Sequence, residues 1–191
     1  MANVDAAFGF VPIRHMSGNA PRTNKYTIAS GLAENIFKGD LVIIIAAGTI
    51  TPHTATEVNN IGVFAGVSYT ASDGSYVYSE YWPSGTVATD IIAYVYDCPY
   101  TVFKCQSSAN AATSTTAVAQ TNIGNCCDVV AGAGSTLTGQ SGFELSDTMA
   151  AGIATCKIIA LYDAPDNAFG ANAIMEVTVN EHLLGTNVAG I

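Results

Sequence analysis

From Phe37 onward the chain sets short apolar runs between turn residues, and no long stretch repeats with the 3.6-residue period of a helix. The run "LVIIIAA" (residues 41–47) follows the turn Lys38-Gly39-Asp40. Its β-branched, apolar character predicts a central strand covered on both faces, with Thr49, Ile50 and Thr51 extending it or pairing with it. In "NNIGVFAGVSYT", Ile61, Val63, Ala65, Val67 and Tyr69 share one side, while Gly62, Phe64, Gly66 and Ser68 take the other. Two glycines on one side predict a bulge or the close approach of another backbone.

The turn "SDGS" predicts a hairpin into "YVYSEYW", closed by Pro83 and Gly85. "DIIAYVYD" is a further strand, reversed at Asp97-Cys98-Pro99-Tyr100 into "TVFKCQ". There Phe103 and Cys105 are expected inward, and Val102, Lys104 and Gln106 outward. A short strand at "CCDVV", another over residues 155–162 and a last one in "AIMEVTVNEH" complete the pattern. In the last strand Met175, Val177 and Val179 point in, and Glu176, Thr178 and Asn180 point out. The one helical expectation is a short turn of helix near residues 114–121, where threonines lower the propensity. Eight or nine strands without a long helix predict an all-β fold, a compact β-barrel or β-sandwich.

Residues 1–30 break this pattern. Pro12, Pro21, Gly9 and Gly18 interrupt them, three of the chain's basic residues (Arg14, Arg22, Lys25) fall here, and periodicity is confined to "KYTIA". The segment reads as an extended N-terminal arm before a body of residues 31–191. Its Phe8, Phe10, Val11 and Ile13 need a cover, supplied by the arm's own domain or by a neighbour.

Charge narrows the function. Apolar residues make up 49% of the chain but charged ones only 11%, against about 25% in an ordinary soluble domain. Six basic residues face fifteen acidic ones, for a formal charge of -9, and no Lys/Arg cluster exists. Docking to a nucleic-acid backbone therefore lacks an electrostatic basis, and an acidic lipid surface repels the chain. The strongest apolar run falls far short of the ~20 residues a membrane helix needs, and the opening "MANVDAAFGFVPIRHMSG" lacks the pattern of a secretory signal. A surface so poor in Lys and Glu is expected to be largely covered in an assembly.

Candidate chemistry is thin. The five cysteines are odd in number and form no C-x-x-C pair. A zinc site, a redox pair or one disulfide stays open, beside the plainer expectation of small buried hydrophobes in a reducing compartment. His53 and Glu57 have i,i+4 spacing but follow Pro52, and His182 beside Glu181 suits a structural pair at a strand end. Ser141 lacks a G-x-S-x-G frame, and the loop Gly132–Gly142 lacks G-K-[ST]. Weak calcium binding by the turn at residues 163–167, through Asp163 and Asp166, is the nearest approach to a metal site. No cofactor and no enzymatic activity are expected, although fifteen acids can supply a carboxylate pair in space. Tyr76 and Tyr78 share a side with Trp82, and Tyr81 faces away. That aromatic strip suits a core, a protein contact or a grip on sugar rings.

Four stretches together resemble a family of tailed-bacteriophage virion proteins: "MANVDAAFGFVPIRHMSG", "YDCPYTVFKCQ", "CDVVAGAGSTLTGQSGFELS" and "DNAFGANAIMEVTVNEH". The resemblance runs from residue 1 to about residue 182, and some members are similar to capsid cement (decoration) proteins, which sit as trimers outside HK97-like shells. It implies a non-enzymatic structural protein made in the host cytoplasm, placed on the outer capsid surface and partnered by the major capsid protein and by itself, as a homotrimer. It further implies that the arm, through Phe8, Phe10, Val11, Ile13 and Arg14, reaches across capsid seams, with Tyr78 and Trp82 as further contact residues. Deleting residues 1–20 is then expected to leave a folded body that attaches poorly. Members commonly carry two acids before the turn proline, where this chain has Asp97-Cys98-Pro99. The alternative is a carbohydrate- or host-surface-binding module of a phage tail or fibre.

Overall fold

The computed structural model describes residues 3–54, 57–108, 118–185 and 190. Among them, β1 (Val11–His15), β2 (Asn24–Tyr26), β3 (Ile36–Phe37), β4 (Leu41–Ile44), β5 (Ile50–Pro52), β6 (Asn60–Ala71) and β7 (Tyr76–Ser79) form the first half. The second half comprises β8 (Tyr81–Trp82), β9 (Ala88–Tyr96), β10 (Thr101–Gln106), β11 (Cys126–Val130), β12 (Glu144–Ala150), β13 (Cys156–Leu161) and β14 (Ile174–Val179). The only helical element among the described residues is a single 3₁₀ turn, Gln120–Asn122. Of the helix expected near residues 114–121, residues 114–117 lie outside the described residues, and Gln120 and Thr121 fall in this 3₁₀ turn.

The strands form two large antiparallel sheets and a small one. The first sheet runs β1-β10-β14-β13-β11-β12; the second runs β2-β9-β6-β4-β5, with β7 also on β6; the third is β3-β8. Neither large sheet closes on itself, so the all-β body is sandwich-like rather than a barrel. Fourteen strands replace the eight or nine expected because β2, β3, β5 and β8 are two or three residues long, too short to show a period.

Two apolar cores result. One gathers Phe103, Cys105, Ile158, Met175 and Val177 of the first sheet with Phe10, and with Leu41 and Val63 of the second. The other packs Phe64, Val67, Ala93 and Val95 beneath Ile36 and Trp82 of the small sheet. The long strand β6 serves both. Its pairing with β9 shifts between Phe64 and Gly66, the bulge its glycines predict, so Val63 and Val67 of one sequence alternation enter different cores.

The N-terminal segment is extended, but it is no separate arm. β1 forms an edge of the first sheet against β10, and β2 an edge of the second against β9. Phe10 is 1% exposed and meets Phe103 edge-on at 6.2 Å. The Asn3 amide donates to Ala168 O and Ala171 O at 2.8 Å each, and Gln106 Nε2 donates to Val4 O at 2.8 Å. Phe10 is thus covered by the segment's own chain, while Val4 and Met16 stay exposed.

The expected outward faces of the late strands are also corrected. Val102 and Gln106 are buried, as are Thr178 and Asn180. Gln106 is covered because it bonds the N-terminal segment, and Asn180 because its amide donates to Ala154 O at 3.1 Å.

Candidate protein-contact face

The second sheet leaves its outer side uncovered around β7. Strand alternation turns Tyr76 and Tyr78 outward, 69% and 66% exposed, and leaves Val77 half-buried beneath. Cross-strand register then sets the neighbours. Tyr78 lies opposite Ser68 and Tyr76 opposite Thr70. On the far side of β6, Ser68 faces Ile92 and Gly66 faces Tyr94, and Lys25 of β2 lies opposite Tyr94.

The tyrosines form a shallow aromatic surface. The rings of Tyr78 and Tyr94 stand 6.2 Å apart, tilted by 47°, and Tyr94 Oη lies 3.4 Å from the buried Ser68 Oγ. Gly66 makes room for this. A Cβ there would come within 3.3 Å of Tyr78 Oη and 3.1 Å of Ser79 O, and its φ of +149° suits glycine. The charges on this face, Lys25 and Asp90, lie at its margins, so tyrosine edges and hydroxyls dominate what a partner meets.

The other predicted contact residues lie elsewhere. Trp82 is fully buried against Tyr69, ring centroids 5.3 Å apart. β7 ends at Ser79, and after Glu80 the chain turns into β8 to pair with β3, so Trp82 leaves the strip it shares in sequence with Tyr78. Phe10 is core. Phe8, Val11 and Ile13 are half-buried, with Phe8 and Val11 lining a cleft of about 320 Å³ beside Ala65 and Glu80. Arg14 is exposed and bridges Glu176 at 2.6 Å. Of the seven, Tyr78 and Arg14 are exposed. Tyr94, beside Tyr78 on this face, is a member that the sequence pattern did not single out, although its alternation with Ala93 and Val95 was visible.

All five cysteines are free thiols; Cys105, Cys126, Cys127 and Cys156 are buried, and Cys98 is half-buried. Burial pushes the Cys105, Cys127 and Cys156 thiols well above their ordinary range. His53 Nδ1 lies 2.8 Å from Asn60 Oδ1 and 3.5 Å from Glu57, while Asn60 Nδ2 donates to Glu181 O at 3.0 Å. His182 is buried, which lowers its proton affinity, and its Nδ1 accepts the Leu184 amide at 3.1 Å. The turn holding Asp163 and Asp166 is organised by Asn167, which bonds Tyr162 O at 2.7 Å and Ile174 O at 2.8 Å. Among the described residues no three His, Cys, Asp or Glu side chains gather as a metal site. The loop Gly132–Gly142 packs backbone on backbone and lays Gly134 against the Phe37 ring.

A scan against models of protein families, a search of curated proteins and a search of solved structures each found no match.

Proposed function

We propose that this chain is a non-enzymatic structural protein of a tailed-bacteriophage virion, a cement (decoration) protein that bridges major capsid protein subunits on the outer shell as a homotrimer. The observation that carries the contact role is the open face of Tyr76, Tyr78 and Tyr94, an aromatic surface with charge only at its edge. Tyrosines give large contact area at little entropic cost and are enriched where proteins meet. The virion setting rests on the resemblance of the four sequence phrases. A charge of -9 suits the outside of a shell better than an interior filled with polyanion.

In this reading the contact moves from the N-terminal segment to the second sheet. The alternative, a carbohydrate-binding module, draws on the same tyrosines. The 47° tilt between Tyr78 and Tyr94 gives no single flat platform for consecutive sugar rings, which favours a protein partner.

The test is occupancy on purified capsids that lack the protein, read by electron microscopy after adding wild type or the Tyr76→Ala/Tyr78→Ala double variant. A loss of affinity of about tenfold or more is expected, since central tyrosines commonly contribute 1–2 kcal/mol each. Equal occupancy of the two proteins removes the tyrosine face as the contact. Failure of wild type to bind any capsid, with glycan-array binding lost in the double variant, transfers the face to the carbohydrate reading.

A further inference from the structure

The turn that opens β4 and the residues after β5 face the glycine-rich segment Ala131–Gly134 across an open cleft of about 450 Å³. Strand pairing brings two titratable groups to it. Val42 lies opposite Pro52, and the His53 amide donates to Leu41 O at 2.9 Å, so Asp40 and His53 meet at one end of the β4–β5 pair. Both line the cleft, and Phe37, Pro52 and Phe143 give it an apolar wall.

Asp40 and His53 are 2% and 1% exposed, and each holds one polar atom without a hydrogen bond, Asp40 Oδ1 and His53 Nε2. Buried polar atoms are ordinarily paired, so two orphans at one opening point to a ligand. Both are acceptors. Asn60 Nδ2 donates to Glu57 O at 3.1 Å and Glu181 O at 3.0 Å, which leaves Asn60 Oδ1 to accept from His53 Nδ1 at 2.8 Å. With its proton on Nδ1, the neutral ring offers a lone pair at Nε2. Asp40 Oδ2 accepts the Phe37 amide at 2.7 Å. The Ser141 hydroxyl stands near enough to favour the carboxylate but makes no hydrogen bond to Oδ1.

Charge selects the ligand. Glu34 also lines the cleft, and Glu57, which accepts the Thr54 amide at 3.0 Å, stands 3.5 Å from His53 Nδ1. Among the described residues no Lys or Arg lines it. The nearest lysine in sequence, Lys38, is bridged to Glu80 at 2.7 Å. A buried carboxylate without a counter-ion is costly, and a cation bearing N–H donors supplies both the charge and the missing hydrogen bonds. The apolar wall strengthens that attraction. No third ligating side chain gathers here for a metal ion, and the deep burial of both acceptors suits a compact ammonium head better than a planar guanidinium.

We infer that this cleft binds the ammonium group of an organic cation, held by Asp40 and His53 with Glu34 at the rim. The ammonium comes from a free alkylamine or from a lysine side chain of another protein. This inference stands apart from the virion reading.

The experiment titrates the nitrogen-15-labelled full chain with butylammonium chloride near pH 8, at constant ionic strength, and follows the backbone amides by NMR. Saturating shifts are expected at Thr54, Gly132 and Gly134. Tetramethylammonium, equal in charge but without an N–H, should bind at least about tenfold more weakly, as should butylammonium to Asp40→Asn. Near pH 5 binding to the wild type should fall by up to about tenfold, because Asp40, with a pKa of about 6, then holds its proton. Protons taken up by His53, Glu34 or Glu57 act in the same direction. N-acetyllysine methylamide carries the same head: tighter binding than butylammonium assigns the cleft to a protein side chain, weaker binding to a free amine. The inference is overturned if no saturable shift appears at the cleft, or if tetramethylammonium or calcium chloride moves the same resonances as strongly. It is equally overturned if Asp40→Asn, folded by its own spectrum, binds butylammonium as tightly as wild type. Should that variant not fold, the tetramethylammonium and pH comparisons on the wild type decide.

Discussion

The amide of Phe10 donates to the carbonyl of Gly39 at 2.9 Å, and this bond ties the start of the chain to the turn between β3 and β4. The same turn receives two other segments: Gly39 N donates to Phe64 O at 2.9 Å, and Ser141 N to Lys38 O at 3.0 Å. The Lys38-Gly39-Asp40 turn is thus where the N-terminal segment, β6 and the glycine-rich loop converge.

Removing the N-terminal segment should accordingly cost stability rather than merely attachment. Phe10→Ala is expected to destabilise the protein by about 3–4 kcal/mol, the usual loss for a buried phenylalanine. Urea unfolding checks this, with a lower midpoint at an unchanged slope as the expected result. A variant as stable as wild type would mean that Phe10 is dispensable to the core.

Two glycines separate steric crowding from backbone preference. Gly9 and Gly18 both have positive φ, +70° and +82°, but a Cβ at Gly9 would lie 2.4 Å from Ser141 Cβ and 2.7 Å from Gly39 O, while one at Gly18 meets nothing within 4 Å. Gly18→Ala should cost about 1 kcal/mol from the backbone alone. Gly9→Ala should cost at least 2 kcal/mol more, since backbone must shift to admit the methyl group. Paired melting curves give the comparison, and equal losses would refute the crowding.

Asp40 makes stability depend on pH. Its carboxyl is 2% exposed, and burial raises its pKa from 3.8 to about 6, outweighing the pull of the Phe37 amide that donates to it. Below about pH 4 the group is protonated both folded and unfolded. Between 4 and 6 only the unfolded chain releases the proton, so the folded state loses stability as pH rises, and the loss is complete above the folded value. Asp40→Asn keeps an acceptor for Phe37 and removes this term. Relative to wild type it should therefore gain up to about 3 kcal/mol between pH 4 and pH 7. Chemical unfolding at both pH values measures the difference, and a pH-independent gap would contradict the burial of a charged group.

Tyr78 and Trp82 should behave oppositely despite their closeness in sequence. Tyr78→Ala, at an exposed position, should change stability by no more than about 0.5 kcal/mol, whereas Trp82→Ala should cost about 3–5 kcal/mol. Differential scanning calorimetry on both distinguishes surface from core. A binding defect in the tryptophan variant would then report unfolding, so the tyrosine variants are the ones that speak to a partner.

Much of the second sheet was legible before the fold was known. The run at Leu41, the alternation of β6 and the "SDGS" turn each carry their own local signal. The burial of Met175, Val177 and Cys105 followed from alternation alone. Illegible were the places where distant segments decide. Gln106 reads as an outward polar residue until the N-terminal segment, a hundred positions earlier, arrives to bond it. Trp82 reads as a member of the tyrosine strip until the break at Glu80 turns it under β3. The candidate face was half readable: Tyr76 and Tyr78 share a parity within one strand, but Tyr94 joins them only through the register of β6 with β9.

The two sheets differ in when the ribosome can supply them. Every strand of the second sheet lies between Asn24 and Tyr96, so it can assemble while the rest of the polypeptide is still being made. β1 must wait for β10, and β10 for β14, which ends at Val179. Phe10, which packs with Leu41 and Val63 of the second sheet, therefore gains Phe103, Met175 and Val177 only after that sheet's strands have been made.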